Sequence, residues 1–298
     1  MKTSGVFTLH RHAIPLTGAN DAVRLVFFGD VHRDSPNHAE TKWKEFLEYA
    51  KGLKNARFIG MGDYLDANST SERISLNGIR HSLHETQRDS HEKEAYGKAK
   101  LFAKEIEFMQ GRLIGLINGN HYFEHTNGTN TDQELCRLLK CKYLGVSSFV
   151  KLQFGLNGRW QTLDMWLHHG VGGSRLPGGS INRVEHMREH ADAEIYAMGH
   201  DHRRGVWPAN PRLSLEGDSK APSGLRLRER QSWLIRSGSF LASYEDGVSN
   251  YNVDAARGPS SLGHVELEIR WRRETTRELE QGKRVKKQRV GLDVRGIA

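Results

Sequence analysis

Short apolar runs that end abruptly in polar loops recur along the first half of the chain. Val23-Arg24-Leu25-Val26-Phe27-Phe28 is β-prone and stops at Gly29-Asp30. Arg57-Phe58-Ile59-Gly60-Met61 stops at Gly62-Asp63, and Leu113-Ile114-Gly115-Leu116-Ile117 runs into Asn118-Gly119-Asn120-His121. Apolar runs of this length, bounded by turn residues, read as buried strands. Between them Trp43, Phe46, Leu47 and Ala50 recur at helical spacing over 39–51, and Leu101, Phe102, Ile106 and Met109 do so over 95–110. Strands alternating with helices predict parallel βαβ units, whose polar loops gather at the strand C-termini.

The second half reads differently. Phe149 to Phe154 and Trp160 to Leu167 flank an Asn157-Gly158 turn, which predicts an antiparallel hairpin whose second strand ends in His168-His169-Gly170. A helix is predicted over 181–190, then a strand over 193–198 running into Gly199-His200-Asp201-His202, with later strands at 233–236 and 264–271. Trp207, Trp233 and Trp271 lie in or beside these strands, where core packing is expected of them. The glycine-rich stretch 172–179 reads as a long turn, with phosphate contact through its amides and Arg175 as the alternative. The polar stretch 68–93 is expected to be a lid or helical insertion. The expected layout is one catalytic domain over 1–271, with a surface excursion near 205–232, and a basic C-terminal tail over 272–298 that is partly disordered or helical.

Charge adds a partner class without fixing it. Lys and Arg outnumber Asp and Glu by 44 to 36, for a formal charge of +8, which suits a polyanion such as nucleic acid but also serves solubility. Only 282–289, Gly-Lys-Arg-Val-Lys-Lys-Gln-Arg, concentrates it. No run approaches the roughly 20 apolar residues of a membrane span, and Met1 to Pro15 lacks the apolar centre of a secretion signal, so neither membrane insertion nor secretion is expected. Cys136 and Cys141 read as reduced core thiols, in keeping with a cytoplasmic location.

Candidate chemistry lies in five strand-to-loop junctions: Asp30-Val31-His32, Gly62-Asp63, Gly119-Asn120-His121, His168-His169-Gly170 and Gly199-His200-Asp201-His202. Any one of these is ordinary, because strands often end in Asp or Asn for turn chemistry. Together they bring carboxylates, amide and imidazoles to one sheet edge, a costly convergence unless cations compensate it. Mixed nitrogen and oxygen ligands of this kind suit manganese, iron or zinc better than calcium.

In its order of motifs the stretch Leu25 to His202 resembles the calcineurin-like metallophosphoesterase superfamily, whose signature runs D-x-H, G-D, G-N-H, a lone His, then G-H-x-H. Arg236-Ser237-Gly238-Ser239-Phe240 is similar to the strand and glycine turn that follow the last motif in that family. The resemblance implies an α/β fold, a four-layer sandwich of two mixed sheets packed face to face with helices outside. It implies two divalent metal ions, manganese first with iron or zinc as alternatives. One would be bound by Asp30, His32 and His202, the second by Asn120, His168 and His200, with Asp63 bridging them. His121 would be the catalytic general acid. Tyr122 stands where relatives carry Asp or Glu, leaving Asp66 and Glu124 as candidates to orient His121. Of the doubled histidines, His168 is favoured as ligand, with His169 touching substrate or a ligand's partner. The implied activity is phosphoester hydrolysis, with a nuclease-like phosphodiesterase acting on DNA or RNA first. A phosphomonoesterase, nucleotide hydrolase or protein phosphatase is the alternative, and a non-catalytic scaffold the remote one.

Overall fold

The structure, a computed structural model, describes residues 7–18, 21–79, 84–171, 176–218, 222–244, 261–280 and 283–297. The strands are β1 (Thr8–Pro15), β2 (Ala22–Phe28), β3 (Ala56–Gly60), β4 (Leu113–Leu116), β5 (Ser147–Leu156), β6 (Arg159–His168), β7 (Ile195–Met198), β8 (Arg204–Gly217), β9 (Leu225–Ser237), β10 (Val265–Glu280) and β11 (Lys283–Ile297). The helices are α1 (Glu40–Gly52), α2 (Thr70–Ile79), α3 (Glu85–Glu105), α4 (Thr131–Leu139) and α5 (Pro177–His186).

Two mixed sheets result. One runs β1-β5-β6-β7-β9-β8, the other β11-β10-β2-β3-β4. In the second, β2, β3 and β4 are parallel, and β10 returns antiparallel beside β2. In the first, β6, β7 and β9 are parallel. Strand alternation decides what each sheet buries. Leu25 and Phe27 of β2 meet Leu163, Met165 and Leu167 of β6 in a core between the sheets, joined by Ile195 and Ile235. On the outer face of the second sheet, Val26, Phe28 and Phe58 pack against Trp43, Phe46 and Ala50 of α1 and Phe102 of α3. Beyond the first sheet, Val184 of α5 packs on Trp166, Tyr196 and Leu234. The expected order of helix, sheet, sheet and helix is therefore the one observed.

Several elements depart from expectation. Expected to be partly disordered or helical, the described residues after Trp271 are strand: β10 runs to Glu280 and pairs with β11 from Glu266↔Ile297 to Glu280↔Lys283, while Leu292 and Val294 pack on the inter-sheet core. The stretch 205–232 is built largely into the β8–β9 hairpin, whose base belongs to the first sheet. Pro177, Gly178 and Gly179 open α5 instead of extending a turn, with proline at a first-turn position where its missing N–H costs nothing. Residues 172–175 lie outside the described residues. The polar stretch 68–93 holds α2 and the first half of α3; Leu101, expected on the buried face, is 68% exposed. No described helix is long and apolar enough to cross a membrane.

Candidate metal centre

The loops that follow β2 and β3 are zipped together by their backbones. The amides of Asp30, Val31 and His32 donate to the carbonyls of Gly62, Asp63 and again Asp63 at 2.8 to 3.0 Å. The hydroxyl of Tyr64, itself fully buried, accepts from Gly62 N at 3.1 Å and donates to Ile117 O at 2.9 Å, tying in the loop after β4. That loop must approach Asp63 closely. A side chain at Gly119 would collide with the backbone and carboxylate of Asp63, and the bare glycine lets Asp63 Oδ1 accept from Asn120 N at 2.7 Å and His121 N at 2.9 Å. With Oδ1 occupied, Oδ2 faces 3.1 Å from Nε2 of His169 and 3.8 Å from Nε2 of His32.

Side chains from five strand ends converge here. Asp30, His32 and His202 can offer one atom each within 4.8 Å of one another, and so can Asp63, His169 and His200. Asn120 joins the second group, its Oδ1 lying 2.8 Å from His169 Nε2 and 2.7 Å from His200 Nδ1. The first group is looser: His202 Nε2 stands 3.7 Å from Asp30 Oδ1. Asp30, His32, Asp63 and His169 are all nearly or wholly buried.

The backbone carries the same signature. Among described residues, seven other than glycine have positive φ, and five of them are Asp30 (47°), His32 (45°), Asp63 (50°), His200 (70°) and His202 (57°). Left-handed conformation costs a side-chain-bearing residue about 1–3 kcal/mol and persists where surroundings enforce it, most often at functional sites. The other two, Lys140 and Asn157, cap a helix and turn a hairpin.

Doubled histidines are sorted opposite to expectation. His169, not His168, enters the cluster: its Nδ1 lies 2.7 Å from Met61 O and its Nε2 faces Asn120 and Asp63. His168 is the last residue of β6, where alternation points it to the face shared with Trp166, and its Nδ1 accepts from Gly170 N at 2.8 Å. Leu163, Met165 and Leu167 face the inter-sheet core, so the next residue of that parity is 169.

His121 stands at the rim, 24% exposed, with its ring edge-on to His32 at 4.8 Å. Asp66 orients it. Asp66 Oδ1 lies 2.7 Å from His121 Nδ1 and 3.3 Å from His32 Nδ1, while Glu124 pairs with Arg73 at 3.9 Å. The close approach of His121 Nδ1 and the hydrogen bond with His32 hold the Asp66 carboxyl well below the usual range. Burial pushes Asp30 up to about 7, with His169 opposing and Asp63 reinforcing the shift. For Asp63 burial is outweighed by the charge and hydrogen bond of His169, which keep it ionised, and His169 is raised in turn to about 9. Burial, then the charge of His169, brings His200 down to about 4, and burial with His32 holds His202 well below its usual value.

The donor set fits divalent cations. Ligating histidine must be neutral and ligating carboxylate ionised; His200, His202 and Asp63 favour those forms, while Asp30 and His169, both raised, would release a proton as a cation binds. His32 Nε2, which faces Asp63 Oδ2, is buried without a hydrogen-bond partner, an arrangement a cation would relieve.

Some site residues were not anticipated from sequence. Arg73 of α2 donates to the carbonyl of Asn120 at 2.5 Å and lies 3.8 Å over the ring of Tyr122, so the polar insertion buttresses the loop after β4. Asp132 of α4 accepts from Gly119 N at 2.9 Å. Arg204, at the start of β8, donates to Leu262 O at 3.1 Å.

No protein-family model matches the sequence, and no curated protein does. Among solved structures, Haemophilus influenzae NAD nucleotidase (NadN) matches with a TM-score of 0.36 and 9% identity over 85% of this chain and 48% of that one. This chain thus spans about half of that enzyme's length, and a likeness so remote adds nothing to the geometry above.

Proposed function

We propose that this protein is a dinuclear metal-dependent phosphoester hydrolase. The position of Asp63 carries the reading: one carboxylate oxygen is fixed by two backbone amides, and the other faces both ligand groups at once. One cation would be held by Asp30, His32 and His202, the other by Asn120, His169 and His200, with Asp63 shared and His169 replacing His168. When bound, such a pair supplies an activated water and neutralises charge on an in-line phosphoryl displacement.

The chain's own groups do the rest. Asp63 and the surrounding imidazoles would hold the cations, and so the phosphate those cations bind, at the edge where the two sheets meet. His121, exposed on one side and held by Asp66 on the other, is placed to protonate the leaving oxygen, with Asp66 balancing the charge the ring gains or loses. Manganese is the first metal to test, with iron and zinc next, because the donors mix nitrogen and oxygen. We take the substrate to be a phosphodiester in DNA or RNA, a reading supported by the +8 formal charge and the lysines and arginines of 283–289.

The test is hydrolysis of bis- and mono-p-nitrophenyl phosphate and of single- and double-stranded DNA, after chelation and after Mn2+ is restored. Diester and DNA cleavage that returns with Mn2+ is the expected result. Activity indifferent to chelation, or none on any of the four, overturns the proposal. Preference for the monoester with DNA untouched transfers it to a phosphomonoesterase.

A further inference from the structure

Arg236, the penultimate residue of β9, lies on the face that packs against α5 and is completely buried. Its Nη1 donates to Gly199 O at 2.9 Å, and its Nε and Nη2 donate to Ser180 O at 3.1 and 2.7 Å. Asp201 lies against it, Oδ2 to Nε at 3.4 Å, and also accepts from the Ser180 hydroxyl and, through Oδ1, from Arg203 N at 3.2 Å. Every one of these groups belongs to the loop that carries His200 and His202 or to the start of α5 above it.

Stability alone does not explain so costly an arrangement. Burying a guanidinium demands compensation for its lost hydration, and buried ion pairs replaced by apolar residues often leave a protein no less stable. Something in this loop does need enforcing, since His200 and His202 both hold left-handed conformations. The loop is gripped from two sides. Asp30 accepts from His200 N at 2.9 and 3.1 Å on the metal side, and Arg236 holds the Gly199 carbonyl behind it. Asp201, between the two histidines, therefore points away from the cluster while its neighbours point in.

We propose that the buried Arg236–Asp201–Ser180 cluster sets the backbone of Gly199–Arg203 so that His200 and His202 are delivered to two different cations, making Arg236 a positioning residue for both. The proposal rests on the dinuclear centre proposed for this protein. His200 belongs to one ligand group and His202 to the other, so loosening this single clamp weakens both sites together.

Mn2+ binding to the chelated, full-length protein, followed by calorimetry and by the electron paramagnetic resonance signal of spin-coupled Mn2+ pairs, tests it. Arg236→Met is expected to lower the affinity for both equivalents by about 10–100-fold, the usual range for residues behind a metal's ligands, and to weaken the coupled signal at two Mn2+ per protein. Arg236→Lys, which keeps the charge but cannot span two carbonyls, falls between it and wild type. Asp201→Asn, a shape-conserving change that decides the matter if Arg236→Met does not fold, loses about tenfold. A purely structural clamp lowers the melting temperature while leaving the Mn2+ affinity of the folded protein untouched, and that result in both variants overturns the proposal. Absence of Mn2+ binding by wild type removes the metal centre itself, and this inference with it.

Discussion

Asp66 Oδ1 lies 2.7 Å from Nδ1 of His121, and the same oxygen reaches His32 Nδ1 at 3.3 Å. One carboxylate thus serves a proposed proton donor and a proposed ligand. In Asp66→Asn, turnover of a dinucleoside phosphate, whose alkoxide leaves poorly, is expected to fall by about 100-fold, with a much smaller loss on bis-p-nitrophenyl phosphate. The Mn2+ concentration needed for half-maximal rate rises about tenfold, because a ligand has lost its partner. His121→Ala should show the first effect without the second. Equal losses on both substrates would count against a proton-donating His121.

The histidine pair gives a cleaner separation. His169→Ala is expected to leave less than one tightly bound Mn2+ per protein, while His168→Ala keeps two, as measured by metal analysis after gel filtration. The opposite pattern would restore the assignment favoured from sequence.

Asp132 is wholly buried, its Oδ1 has no hydrogen-bond partner, and burial raises it to about 7. Between its unfolded value near 4 and about 7 the folded protein binds a proton that the unfolded chain has released, so this group's contribution to stability is full at acid pH and is lost as pH rises through that window. Asp132→Asn removes the loss. It should match wild type at about pH 4, where both states hold the proton, and exceed it by a few kcal/mol near pH 8 in denaturant titrations of the metal-free protein, one pKa unit being worth about 1.4 kcal/mol. A variant less stable than wild type at pH 8 would contradict this.

Removing 282–298 deletes a strand. Leu292 and Val294 leave the core and β10 loses its outer partner, so melting is expected to drop steeply whether or not nucleic acid is bound. Substituting Lys283, Lys286 and Lys287 by Gln isolates charge. DNA affinity should fall and the slope of log K against log salt should shrink by about 0.9 for each phosphate no longer neutralised, read from fluorescence anisotropy at several salt concentrations. An unchanged slope would argue against a nucleic-acid role for this strand.

What sequence made legible follows from where the apolar signal is dense. The runs of β2, β3 and β4 are buried on both faces and read as strands at once, and each delivers its polar loop where expected. β1 gave no such signal, because Thr8-Leu9-His10-Arg11-His12 buries little and finds β5 only in the folded chain. α4 is short, yet Asn130 and Gln133 form a capping box, which is a start signal visible in the residues themselves. The 168/169 order was written in the alternation of Leu163, Met165 and Leu167. Arg236 could not be recognised beforehand, since an arginine closing a strand is usually solvated and only the assembled core seals it.

Each proposed cation draws ligands from both sheets: Asp30, His32, Asp63 and Asn120 follow strands of one, His169, His200 and His202 strands of the other. Neither half-set is complete until the two sheets have docked. Metal would therefore act as a rivet that must be drawn before the layers part. Its presence should slow unfolding far more than it speeds folding, so the loaded protein owes its lifetime to a barrier and not to a deeper native basin alone.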